Sequence, residues 1–204
     1  ISTVVERHEM PTIVGGASDP TIWEGNNLQW VVQGMQTTDE YFPGVAEIGE
    51  KMGAKTAAII FEDTAFPISL ANSFRGQCEA HGIEVVLFEG YPKGIADWTP
   101  PLAKAMELKP DIVGVGGYEP DSIGLTKAME ALKAEAGLFV WTVGAGAPSF
   151  VEAVGDSCQA VCCESLWEGI LDTPGNREYG YYAERIIGTP ASELEYHTTF
   201  GYLV

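Results

Sequence analysis

Between residues 55 and 167, strand-like and helix-like patterns alternate four times without interruption. That alternation leaves few architectures open to the chain. The apolar run at 56–61 precedes a helical pattern at 66–81, and runs at 83–88, 111–117 and 138–143 are followed by helical stretches at 99–109, 121–136 and 148–154. Strands separated by helix-length segments belong to a parallel sheet covered on both faces. The fold class read from this pattern is α/β, with a doubly wound parallel sheet whose crossovers are right-handed. Ligands of such sheets sit in the loops leaving the carboxyl ends of the strands. The place of a site is therefore constrained more tightly than the identity of its ligand.

Local signals punctuate the pattern. Ile68, Ala71, Phe74 and Cys78 lie on one face of the first helix, which Gly82 ends. Thr99 precedes Pro100 and Pro101, a good helix start because proline is tolerated in the first turn; Leu102, Ala105 and Met106 form the buried face. Leu125, Ala128, Met129 and Leu132 do the same in the next helix, with Gly137 as its stop. Upstream lie a helical tail at 2–9, a short strand at 11–14, the loop Gly15-Gly-Ala-Ser-Asp-Pro20 and a strand at 28–33. Asp39 then introduces a helix carrying Phe42, Val45, Ala46 and Met52 and stopped by Gly53. Downstream lie a turn at 172–175, a helix at 177–187 and a strand-sized stretch at 200–204. A half-helix at the start and a strand fragment at the end read as a piece of something longer.

The formal charge of −18 excludes nucleic acid and anionic membrane surfaces as partners, since both need a cationic footprint. No apolar run approaches the ~20 residues of a membrane span, so direct insertion is not expected. No secretory-leader pattern occurs, so the compartment is not read from the ends. Cys78, Cys158, Cys162 and Cys163 lack metal-ligand spacing and read as structural, and His8, His81 and His197 stand far apart beside no nucleophile motif. No catalytic residue, metal or cofactor is expected. Gly114-Val-Gly-Gly117 echoes a dinucleotide loop without its full fingerprint, and the neighbours Glu62 and Asp63 cannot easily face one substrate.

If the first and third strands of the block are neighbours, the winding reverses between them, and the loops at 62–66 and 118–121 flank that switch point. The stretch 141–144 leaves the fourth strand on the same edge. These loops present Phe66, Tyr118 and Trp141 with Thr64, Thr142 and several carboxylates, a wall suited to a small molecule. Phe66 and Trp141 have an alternative reading as core residues.

Several segments resemble a known family. Lys55-Thr-Ala-Ala-Ile-Ile-Phe-Glu-Asp-Thr-Ala-Phe66, Gly82-Ile-Glu-Val-Val, Asp97-Trp-Thr-Pro-Pro-Leu and Pro110-Asp-Ile-Val-Gly-Val-Gly-Gly-Tyr118 look like the type I periplasmic binding proteins. The likeness is greatest to the leucine/isoleucine/valine-binding branch, receptors of branched-chain amino acid ABC transporters. Met10-Pro-Thr-Ile-Val-Gly-Gly-Ala-Ser-Asp-Pro20 resembles that family's first-lobe ligand loop. The resemblance implies two α/β lobes joined by a hinge, with a ligand clamped between them. It assigns 1–53 to part of the first lobe, 54–167 to the second, and 168–204 to a truncated return towards the first.

By the same resemblance, Ala17 and Ser18 hold a ligand carboxylate through backbone and hydroxyl. Phe66 stands where the family usually has a tyrosine, and Tyr118 matches a tyrosine that covers the ligand. The implied function is an extracytoplasmic or periplasmic solute-binding receptor for a small polar ligand (amino acid, carboxylate or amide), partnered by the membrane permease of an ABC transporter. A ligand-binding sensor domain of a membrane receptor is the alternative, ahead of an enzyme. Amino-acid binders of this branch place a carboxylate just after the fourth strand, where this chain has Val143 or Gly144, with Glu119 or Asp121 as the nearest substitutes. That departure favours ligands with a carboxylate or amide over those needing an ammonium partner.

Overall fold

The computed structural model describes residues 1–165 and 170–188, which divide into two compact units. The expected strand at 200–204 lies outside the described residues. The elements run α1 (Ser2–Arg7), β1 (Thr12–Val14), β2 (Val31–Gln33), α2 (Pro43–Met52), β3 (Thr56–Glu62), α3 (Ala65–Ala80), β4 (Glu84–Tyr91), α4 (Thr99–Glu107), β5 (Ile112–Gly116), α5 (Glu119–Leu132), β6 (Leu138–Trp141), α6 (Pro148–Val154), β7 (Val161–Cys162) and α7 (Asn176–Ile187).

The larger unit, residues 18–24 and 36–164, is built on a five-stranded parallel sheet in the order β4-β3-β5-β6-β7. β3 therefore lies beside both β4 and β5, and the winding reverses between β3 and β5 as the alternation predicts. β3 is buried on both faces because helices cover both sides. Ala58 and Ile60 join Val113, Phe139 and Trp141 in one core with Leu102 of α4, Leu125 of α5 and Phe150 of α6. On the other face Phe74 of α3 meets Phe42, with ring centroids 4.7 Å apart.

Glycines decide how closely that second face is covered. A Cβ at Gly114 would stand 1.9 Å from Phe74 Cε1, and one at Gly116 would stand 2.5 Å from the Pro67 carbonyl oxygen. The glycine run of β5 thus lets α3 lie against the sheet, which is why it resembles a nucleotide-binding loop only in outline. A Cβ at Gly49 would similarly meet Ile112 Cδ1 at 2.6 Å. That contact seats α2 on the large sheet, and residues 36–53 belong to the same compact unit as that sheet.

Both ends of α5 differ from expectation. α5 starts at Glu119 and stops at Leu132, and Lys133, at φ 49°, takes the left-handed cap assigned to Gly137. Gly137 instead precedes β6, where a Cβ would lie 3.0 Å from the Asp111 carbonyl oxygen.

The smaller unit holds residues 1–17, 25–35 and the described residues from 165 onward. Its strands β1 and β2 pair in parallel, and Glu6 of α1 accepts hydrogen bonds from the backbone N–H groups of Gln29 and Trp30 at 2.8 and 3.0 Å.

Candidate ligand-binding site

The carboxyl ends of β3, β5, β6 and β7 share one edge of the large unit, because all five strands are parallel. After β3, Glu62 is buried and accepts from the Thr64 hydroxyl at 2.8 Å, and α3 begins at Ala65. Phe66 in its first turn has neighbours on two sides. Its ring centroid lies 5.8 Å from that of Tyr118, which leads into α5, and 6.4 Å from that of Tyr41 in an edge-to-face arrangement. Spacings of this kind are favourable for aromatic pairs. Tyr118 is 41% exposed, so part of its side chain remains open to a ligand.

Tyr41 is buried, and its hydroxyl lies 3.0 Å from Ser18 Oγ. The turn carrying Tyr41 is tied down twice: Thr38 N–H donates to the Ser18 carbonyl at 2.9 Å, and Thr38 Oγ1 lies 2.7 Å from Ser69 Oγ on α3. Burial is the main reason the Tyr41 phenol is held above its ordinary value; the Ser18 hydrogen bond opposes this and the nearby Glu164 carboxyl adds to it. Burial and the Glu62 charge likewise push the Tyr118 phenol up, against Thr64.

Between β5 and β6, Thr142 acts as a staple. Its hydroxyl accepts from Gly117 N–H at 3.3 Å and its carbonyl accepts from the Ser122 hydroxyl at 3.3 Å. The next residue, Val143, has φ 43° and ψ −54°, with Gly144 N–H 2.6 Å from the Thr142 carbonyl oxygen. This is a γ-turn of the rare, strained hand, imposed on a β-branched residue. Strain of this kind persists only where its surroundings enforce it, and it concentrates at ligand sites. Val143 N–H donates to Glu164 Oε1 at 2.8 Å. Glu164 stands two residues beyond β7, and its other oxygen, Oε2, is buried with no hydrogen-bond partner among the described residues. Burial raises its carboxyl to about 7, although the N–H groups of Val143 and of its own backbone pull the other way.

The residues expected at the site divide. Phe66 and Ser18 adjoin Tyr41 on this edge, and Tyr118 adjoins Phe66. Ala17 belongs to the smaller unit, where its carbonyl accepts from Gln33 Nε2 at 3.0 Å. Trp141 does not face the edge. It is fully buried among Phe139 and its neighbours, and its indole N–H donates to Thr126 Oγ1 at 2.8 Å, so its core alternative is the correct reading. Asp121 accepts from Tyr118 N–H at 2.9 Å and Trp98 Nε1 at 3.2 Å, and Glu119 accepts from the Ser149 hydroxyl, which gives both carboxylates structural partners.

Val143 and Gly144 carry no carboxylate of their own, and Glu164, from the segment after β7, brings one to the Val143 N–H. Tyr41 and Glu164 were both missed. The strand-end rule could have found Glu164, a single acid directly after the apolar Val161-Cys-Cys163 run. Nothing local marks Tyr41 apart from the core residues around it.

Known proteins share the family and the fold. The model of a family described as "Periplasmic binding protein" covers residues 1–203. A leucine-binding protein from Thermotoga maritima is 18% identical, with a TM-score of 0.85 over 99% of this chain and 57% of its own. A branched-chain amino acid ABC transporter protein from Thermus thermophilus with bound valine is 17% identical, with a TM-score of 0.79 over 99% of this chain and 53% of its own. A solute-binding protein of an ABC transporter from Rhodopseudomonas palustris HaA2, in complex with p-hydroxybenzoic acid, is 19% identical, with a TM-score of 0.78 over 98% of this chain and 55% of its own. The chain thus spans little more than half the length of these structures, whose parallel α/β fold it shares, and by its family match it belongs to the periplasmic binding proteins.

Proposed function

We propose that this chain is part of an extracytoplasmic solute-binding receptor that delivers a small polar ligand (amino acid, carboxylate or amide) to the membrane permease of an ABC transporter, without chemical turnover. The observation that carries the reading is the aromatic wall Tyr41–Phe66–Tyr118 at the switch point between β3 and β5, with Glu164 beside it. Rings cover an apolar ligand body while tyrosine hydroxyls meet its polar end. The names of the similar structures, which include a leucine-binding protein and complexes with valine and p-hydroxybenzoic acid, support this ligand class.

A thermal-shift screen of amino acids, small carboxylates and amides against the full-length protein tests it, since a ligand of the folded state must raise the midpoint. A compound that raises the midpoint should be recovered unchanged after prolonged incubation, and cells lacking the protein should lose its uptake. Steady conversion of the bound compound overturns the receptor reading. Tyr118→Ala should weaken binding by about 1–3 kcal/mol, the scale of a well-packed aromatic contact, and unchanged affinity by calorimetry removes Tyr118 from the site.

A further inference from the structure

Glu164 combines three features that no structural role explains together. One carboxyl oxygen braces a strained turn, the other is buried without a partner among the described residues, and the group lies close enough to Tyr41 to act on its phenol. A carboxyl that served only to hold the Val143 N–H would need one oxygen, and its second would be expected to reach solvent or another donor. An orphaned buried oxygen at the carboxyl edge of a parallel sheet is a position waiting for a ligand atom.

The protonation state follows from the surroundings. Among the described residues the titratable groups of the loops leaving β3, β5 and β6 are Glu62, Asp63, Tyr118, Glu119 and Asp121, with Tyr41 beside them and Cys162 and Cys163 next to Glu164 in sequence, and none of these is a cation. Among the described residues the ion pairs are Lys51–Glu47, His81–Glu50, Lys104–Glu89 and Arg177–Asp172, and Glu164 enters none of them. A buried carboxylate without a counter-charge is costly and takes up a proton instead. With Oε1 already accepting from Val143, the proton belongs on Oε2, which turns the orphaned atom into a donor.

Resting on the receptor reading above, we propose that Glu164 is the specificity-determining residue of this edge: as a neutral acid it donates Oε2–H to a carboxylate oxygen of a ligand lying against Phe66 and Tyr118. The bond exchanges no atoms, and the proton stays on Glu164. The strained turn at Val143 fits this role, because it points the N–H that fixes the carboxyl. The elevated carboxyl, at about 7, agrees with a group that is still protonated under mildly acidic to neutral conditions. A ligand carboxylate accepting from it strengthens its hold on the proton further.

The test is calorimetric titration of the full-length protein with benzoate and 4-methylpentanoate, and with L-leucine as the ammonium-bearing counterpart of the latter. At least one carboxylate should bind, with affinity falling about tenfold per pH unit above about pH 7, the slope of one required proton. Glu164→Gln keeps an acceptor for Val143 and places an N–H donor at the second position. It should therefore bind the same carboxylate as well as the wild type at about pH 6, and its affinity should no longer fall with pH. Glu164→Ala should lose at least about tenfold at about pH 6.

The proposal fails if Glu164→Gln loses as much as Glu164→Ala at about pH 6. It also fails if neither carboxylate binds, or if L-leucine is preferred with an affinity that rises with pH, the mark of an ionised acceptor. Tyr118→Ala separates the two readings. If it weakens binding while the Glu164 variants do not, only the Glu164 assignment falls; if neither position matters, the ligand-edge reading falls with it.

Discussion

A single carboxyl can make stability depend on pH at this edge. The Glu164 carboxyl is raised from 4.5 to about 7, so its protonated form favours the folded chain. That contribution is complete below about pH 4.5 and is lost as the pH rises through about 7. In chemical denaturation without ligand, the wild type should therefore lose stability over this interval relative to Glu164→Gln. Parallel curves for the two proteins would show that the carboxyl is not held above its ordinary value. Trp141 makes the opposite point at the same scale, a polar group whose needs are met inside the core. Thr126→Val removes the hydroxyl that accepts from its indole N–H and should cost about 1–3 kcal/mol, the penalty of an unpaired buried donor. Ligand affinity should not change, because Trp141 contacts core residues and not the edge.

Among the elements, β5 and α3 are the most tightly interdependent. Gly114 and Gly116 leave no room for a side chain between strand and helix, and the first turn of α3 carries Phe66. Gly114→Ala should destabilise the fold by about 3 kcal/mol, an overpacking cost for a Cβ driven into the Phe74 ring. Combining it with Phe74→Leu should recover part of the loss, and a double-mutant cycle in urea measures the coupling. Simple additivity of the two changes would mean that strand and helix separate instead of clashing. α2 illustrates a subtler dependence. Its sequence reads as an ordinary amphipathic helix, yet Gly49 against Ile112 and Ile83 settles which sheet it covers.

At the scale of the whole molecule, the charge of −18 acts on stability and not on architecture. The described ion pairs are exposed, and pairs of that kind contribute little. Screening the mutual repulsion of the carboxylates should raise the melting temperature by a few degrees between about 0.02 and 0.3 M sodium chloride. A melting temperature that falls with salt would show that attractive pairs outweigh the repulsion.

Much of the fold was legible beforehand because periodicity is a local property. The runs at 56–61 and 111–117 could only be buried strands, their spacing required crossovers, and the crossovers put Phe66 and Tyr118 on one edge. Helix ends were less legible, as at Lys133, because a left-handed cap costs a lysine little once the chain must turn there. The partners of that edge were a matter for tertiary structure alone. Whether Trp141 faced a ligand or Thr126 depended on which face of β6 met α5, and period-two alternation does not say which face holds the core. Glu164 came beside Val143 only because β7 pairs with β6, a contact across 21 residues that no local signal encodes. The sequence by itself determined the parallel sheet and the edge at which a ligand can lie. Tertiary packing decided which side chains meet there, because burial and hydrogen-bond satisfaction are set by neighbours distant along the chain.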